Sequence, residues 1–256
     1  REERGDEVPA ILQRMVTIYE KVGEWEKAYF TCKQLNDTEA LVKVVEGAGT
    51  SMLQTALLTL EGWINSLPPV YVRTRPGLIS LRGMMAAMKG NLEDAIQLLD
   101  AAVSSYRKAN QVAGLTLALT RRAHTLRLLG DYDASLNDVQ EALQLAESDS
   151  ELQALYAEAL RIKGSNLFRL GQSRNAVEEL EHSLSLYTEL KETGSIPILL
   201  GETAMIHATV GNVESAKALY QEALNIWRAE KNLYSQADTL NNLAVLYHQL
   251  GEYEFA

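Results

Sequence analysis

Between residues 76 and 256 the apolar residues recur at helical spacings of three and four, and the pattern of large, small and polar sites repeats about every 40 residues. Glycines mark the repeat: Gly90, Gly130, Gly171, Gly211 and Gly251 are spaced 40, 41, 40 and 40 apart, and Gly23 opens a similar phrase earlier. Eleven positions before these glycines stand large aliphatics, Leu12, Ile79, Leu119, Leu160, Leu200 and Leu240. Seven positions before stand small residues, Gly83, Ala123, Gly164, Ala204 and Ala244. Five positions after come Ala95, Ser135, Ala176, Ala216 and Ala256, and twelve after come Ala102, Ala142, Ser183 and Ala223. Large knobs beside small holes are what closely packed helix pairs require. Each glycine ends one helix, and the Asp, Asn, Gln or Glu after it starts the next.

The pattern predicts an all-α chain, a right-handed superhelical solenoid of antiparallel helix pairs with about 40 residues per repeat. A single pair cannot bury its own apolar face, so the pairs must stack. Residues 1–75 break the register, because Gly23 and Gly90 are 67 apart. Four helices of irregular length are predicted there, at 8–22, 24–35, 38–47 and 50–66, with Pro68 and Pro69 stopping the last. The expected division is thus an irregular helical arm, 1–75, and a repeat array, 76–256. Ala256 is the first buried position of a second helix, so the array is expected to continue past it and to leave an uncapped end open to self-association.

The phrases LGDYDASLNDVQEAL, VGNVESAKALYQEAL and TLNNLAVLYHQLGEYEFA resemble the tetratricopeptide repeat, with about six residues per unit added in lengthened helices and loops. The junction WINSLPPVYVRTRPGLISLRGMMAAMKGNLEDA resembles that of MalT-like, LuxR-type regulators, which are signal-transduction ATPases with numerous domains. Trp63, Leu67, Pro68, Arg75, Pro76 and Leu78 carry that match, and IYEKVGEWEKAY at 18–29 is similar to the arm's preceding helix pair. The resemblance implies a sensor that binds an inducer or partner and relieves autoinhibition of an intramolecular nucleotide-binding domain. It places ATP in that separate domain and none in this segment.

Composition narrows the surroundings. A net charge of −10 argues against a nucleic-acid surface. No apolar run approaches the ~20 residues that cross a bilayer, and REERGDEVP has no signal-peptide core. A single cysteine, Cys32, excludes an internal disulfide and fits a reducing, cytoplasmic setting.

Chemistry is sparse. No phosphate-binding loop motif occurs, no His pair has zinc-ligand spacing, and Cys32 has no His nearby in sequence. No catalytic or metal residue is predicted, and the segment is not expected to be an enzyme. Attention therefore falls on the concave stripe of the first helices, thirteen, ten, six, three and two residues before each glycine. That stripe supplies Met84, His124, Arg127, Arg161, Ser165, Phe168, Arg169, Met205, Asn241 and His248 as candidate ligand-binding residues. Arg127, Arg161 and Arg169 are expected to act together on an anionic group as solvated cations, with Met84, Phe168 and Met205 giving an adaptable apolar floor. Asn241 has both a donor and an acceptor for a peptide backbone.

The expected function is an inducer- or partner-sensing domain of a MalT-like regulator. The alternatives are a scaffold, since TLNNLAVLYHQLGEYEFA is also similar to one repeat of kinesin light chain, and a peptide receptor of the Rap type.

Overall fold

The computed structural model describes residues 7–251, and every regular element among them is helical. The chain falls into two compact units, residues 1–114 and 115–256.

The first unit holds α1 (Glu7–Lys21), α2 (Trp25–Gln34), α3 (Thr38–Thr55), α4 (Leu57–Ser66), α5 (Pro69–Thr74), α6 (Pro76–Met88) and α7 (Leu92–Lys108). Its core gathers Tyr29, Val42, Val45, Leu60, Trp63, Ile64 and Leu78. The Tyr29 and Trp63 rings stack at 4.1 Å between centroids, only 2° from parallel. The Ser66 hydroxyl donates to the Trp63 carbonyl at 2.7 Å, so its oxygen accepts from the Tyr29 hydroxyl at 2.8 Å. That pairing satisfies the polar end of an otherwise buried ring. Cys32 is also buried here, and burial, then Asp37 and Glu20, pushes its thiol up to about 11.

Two expected boundaries differ. The break foreseen at 48–49 is absent, and α3 runs through to Thr55 before the chain kinks at Ala56 (φ −148°, ψ 47°). Gly47 and Gly49 are packing glycines rather than helix breakers. A Cβ on Gly47 would lie 3.2 Å from the Trp25 ring, and one on Gly49 would run into Leu81. The second difference is α5, because Pro69 opens this short helix instead of only ending α4. Its missing N–H is one that a first helical turn leaves unpaired anyway.

The joint into α6 explains its own sequence. Pro76 stands in the first turn, and the N-cap residue Arg75 makes no side-chain cap. Arg75 instead pairs with Glu39 of α3. The cap comes from Glu46 of α3, whose carboxylate accepts from the Leu78 backbone N–H. A Cβ at Gly77 would collide with that carboxylate, so glycine keeps the cap in place.

The second unit is entered at Leu115, within α8 (Val112–Leu129). It continues through α9 (Tyr132–Ala146), α10 (Gln153–Arg169), α11 (Ser173–Leu190), α12 (Ile196–Thr209), α13 (Val213–Ala229) and α14 (Leu233–Gln249). The register glycines all take positive φ, from +72° at Gly23 to +84° at Gly211. At the small sites the helices meet: a Cβ on Gly164 would lie 2.8 Å from Leu180 and 3.0 Å from the Ala176 carbonyl. Ala176, Ser135 and Ala216 are fully buried. Where the small residue is serine, its hydroxyl is spent on backbone, Ser135 on the Ala123 carbonyl and Ser183 on that of Ala157, each at 2.7 Å. Ion pairs recur one repeat apart: Arg122 grips Asp138 with two bonds of 2.7 Å, and Lys163 meets Glu179 at 2.6 Å. The aliphatic site eleven before the glycine is buried at Leu119, Leu160 and Leu200, whereas Leu240 is 46% exposed. The next small site, Ala256, lies outside the described residues.

Second helices end differently. Asn110, Lys191 and Lys231 hold the left-handed conformation there with φ of 51°, 58° and 56°. Lys191→Gly is therefore expected to raise stability by up to about 1 kcal/mol, and Gly171→Ala to lower it by ~1–2 kcal/mol. Ala216→Leu is expected to cost roughly 1–3 kcal/mol by overpacking, with Ser148→Leu near neutral. Urea unfolding of the four variants checks this, and equal effects at all four sites would reject the register.

Candidate ligand-binding face

The stripe singled out in the sequence falls on α8, α10, α12 and α14 in the second unit, and its centre is an ordered ion network. Arg161 of α10 donates through Nε and one terminal nitrogen to both oxygens of Glu158, at 2.8 and 2.6 Å. Its other terminal nitrogen reaches Glu202 of α12 at 2.6 Å. Ser165 donates to the second Glu202 oxygen at 3.2 Å, and the Tyr187 hydroxyl of α11 donates to Glu158 at 3.2 Å. Only 11% of the Arg161 side chain is exposed. Planar two-pronged contacts of this kind hold a guanidinium in one orientation.

The electrostatics follow. Burial opposes the Arg161 charge, but Glu158 and Glu202 outweigh it and hold its pKa well above the ordinary value. Burial likewise opposes the Glu158 carboxylate, yet Arg161, with help from His124 and Tyr187, holds its pKa below the usual range. His124 of α8 is driven down to about 4, first by burial and then by Arg161 and Arg127, so it is neutral at pH 7. Burial, then the Glu158 charge, raises the Tyr187 pKa. Arg127 has its pKa lowered by burial and by Arg161 and Arg169, against the pull of Glu202 and Glu158. Its Nε is buried without a hydrogen-bond partner.

The expectation of three solvated arginines acting alike is thus corrected for Arg161. Two carboxylates already compensate it, and it serves as a fixed part of the floor. Arg127 is half-buried and Arg169 exposed. His124, Arg127, Arg161 and Ser165 are brought together. Phe168 is half-buried against the core of α10, α11 and α12. Met205 is 41% exposed, and Asn241 and His248 are exposed on α14. Met84 sits in the first unit, half-buried against that unit's core.

Glu202 and Tyr187 were not foreseen. Glu202 lies nine residues before Gly211, where other repeats place Leu81, Arg121 and Ile162, so periodicity put it off the stripe. The stripe position itself is Gly201, and a Cβ there would meet nothing within 4 Å. Elsewhere, the first unit has an open cleft of about 590 Å³ between α4, α6 and α7, crossed by a Lys89–Glu61 ion pair of 2.6 Å. Among the described residues no cluster of three or more His, Cys, Asp or Glu could hold a metal ion, and no helix is long and apolar enough to cross a membrane.

Two tetratricopeptide repeat family models match, one over residues 117–149 and the other over 195–256. No curated protein matches the sequence. Among solved structures, the chain is similar to a Rap protein complexed with competence and sporulation factor (TM-score 0.75, 15% identity, 97% of this chain and 73% of that one). It is also similar to BtubC (BKLC) from P. vanneervenii, with TM-score 0.57, 16% identity, and 86% and 92% of the two chains covered. A third is the signal-transduction ATPase with numerous domains bearing a tetratricopeptide repeat sensor from Pyrococcus horikoshii, with TM-score 0.53, 14% identity, and 97% and 45% covered. At these identities the likeness establishes the fold: all-α, tetratricopeptide-like helix pairs.

Removing Arg161 leaves two carboxylates facing each other, so Arg161→Met is expected to cost roughly 1–3 kcal/mol in urea unfolding, unlike a surface arginine. His124 contributes stability that is full above its unfolded pKa of 6.5 and is lost as pH falls to about 4. Thermal melts from pH 7 to 4.5 should therefore fall more steeply for the wild type than for His124→Gln. Parallel pH profiles would contradict a buried neutral His124.

Proposed function

We propose that this chain is the arm and sensor of a MalT-like signal-transduction ATPase, with residues 1–75 as arm and 76–256 as sensor, working in the cytoplasm. An inducer or partner peptide docks on the stripe of α8, α10 and α12 and relieves autoinhibition of a separate nucleotide-binding domain, where ATP resides. The observation that carries this reading is the Glu158–Arg161–Glu202–Ser165 network. Packing of the helix pairs does not need it, because the small residues and the Arg122–Asp138 type of pair already serve that purpose. A rigid polar floor on one face is what a recognition surface requires. The joint supports the same reading, since Trp63, Leu67 and Leu78 are buried and Arg75 and Pro76 order the entry to α6. The ligand acts only through different affinities for the off and on states.

A second reading, a peptide receptor comparable to Rap, is favoured by the TM-score of 0.75 against the Rap complex, compared with 0.53 for the ATPase sensor. The two part at the nucleotide. In the longer protein, Ser165→Trp is expected to reduce inducer-stimulated ATP hydrolysis at least tenfold, while Gln144→Ala on α9 leaves it unchanged. A longer protein with no phosphate-binding loop, or stimulation that survives Ser165→Trp, would sink the ATPase-sensor reading. Peptide binding without any nucleotide response would replace it with the second.

A further inference from the structure

Two features of the second unit are left over by its packing. The first is Arg127. Three neighbouring cations of this unit have carboxylates: Arg122 has Asp138, Lys163 has Glu179, and Arg161 has two. Arg127 enters no ion pair among the described residues, and its Nε is buried with nothing to donate to. A buried donor without an acceptor calls for an explanation, and a bound group that accepts from it is one.

The second is Gly201, inside α12. Glycine within a helix is unfavourable unless its lack of a side chain is used. At Gly83, Gly114 and Gly164 it is used, since a Cβ would strike Leu99, Tyr106 or Leu180. At Gly201 a Cβ would strike nothing. The preceding repeat fills this stripe position with Arg161, so Gly201 leaves bare backbone and open space on the stripe, beside Glu202.

Resting on the sensor reading above, we propose that the ligand carries a carboxylate seated on the Arg127 guanidinium, with the body of the ligand crossing the bare backbone of α12 at Gly201. The edge formed by Nε and one terminal nitrogen presents two parallel N–H groups, which match the two oxygens of a carboxylate. Charge selects a monoanion. Three guanidinium groups and the carboxylates of Glu158 and Glu202 leave a single net positive charge, and His124 adds none at pH 7. A phosphate dianion would carry more charge than the site compensates, toward two fixed carboxylates. Arg161 is a positioning residue: it holds Glu202 in place and keeps both acids off Arg127.

The test uses the chain of residues 1–256, following arginine Nε–Hε signals by NMR. The probes are sodium acetate, a hexa-alanine peptide with a free C-terminus, and its amidated form bearing one internal Asp. Sodium chloride and inorganic phosphate at equal ionic strength are the controls. One Nε–Hε signal, missing in Arg127→Lys, should shift saturably with acetate and at least fivefold more weakly with phosphate. The better of the two peptides identifies the source as a chain terminus or an acidic side chain. Gly201→Leu should weaken that peptide at least tenfold while leaving acetate unaffected and the helical circular dichroism intact. An Arg127 signal that moves no more with acetate than with chloride means that water alone occupies the site, and it overturns the proposal. A stronger response to phosphate overturns the carboxylate assignment, and peptide binding indifferent to Gly201→Leu overturns the path across α12. If these fail while Ser165→Trp still abolishes the response of the longer protein, the sensor reading stands and this inference alone falls.

Discussion

Everything in the second unit depends on one distance, the approach of a first helix to its own second helix at the small-residue site. Gly164 lies so close to Leu180 and the Ala176 carbonyl that one methyl group would force the pair apart. Leu180 gains full burial because Gly164 gives way to it. Close packing of this kind forfeits dispersion contacts quickly when it opens. The same contact appears in the first unit, where a Cβ on Gly83 would lie 2.8 Å from Leu99. Since the small site fixes the spacing, it also fixes which residues are left over to face a ligand.

That division of labour is visible in the polar groups. On the packed side Ser135 and Ser183 bond to backbone carbonyls, and Asn166 donates to Ser135 at 2.7 Å while its Oδ1 is buried without a partner. Those on the stripe are settled across repeats, as Arg161 bridges its own helix to α12. Two carboxylates around one cation are tolerable because each keeps a second donor, Tyr187 for Glu158 and Ser165 for Glu202. A partly satisfied network would be worse than an apolar one. Arg127 departs from this economy, which is why its environment carries functional weight.

The fold was legible because its signals are local. A turn glycine with positive φ is forced by backbone geometry, and a small residue seven before it and another five after it by the close approach of neighbouring helices, so they recur through residues 76–256. The candidate face was only partly legible. The pairing of Arg161 with Glu158 follows from their separation of three residues on one helix. The pairing with Glu202 does not, because 41 residues separate the partners and Glu202 sits off the periodic stripe. Charge that looks free in one helix is compensated from the next, and single-helix periodicity cannot see it. Gly47 and Gly49 misled for the related reason that a packing glycine and a breaking glycine are the same residue until the neighbour, Trp25 or Leu81, is known.

The joint at Arg75-Pro76-Gly77-Leu78 shows what a motif becomes once its neighbours are in place. Each residue answers a different demand: Arg75 pairs with Glu39, Pro76 starts the helix, Gly77 clears space, and Leu78 is buried while its N–H is capped by Glu46. Burial raises the Glu46 pKa, although the Leu78 hydrogen bond and Lys43 pull it back. The carboxylate thus caps α6 at the cost of its own desolvation, in a position where the helix start favours negative charge. A substitution in α3 would then be felt at the first turn of α6, three helices further along the chain. α3 and α6 share one core and one capping group, so a movement that parts α3 from α6 must give up both together.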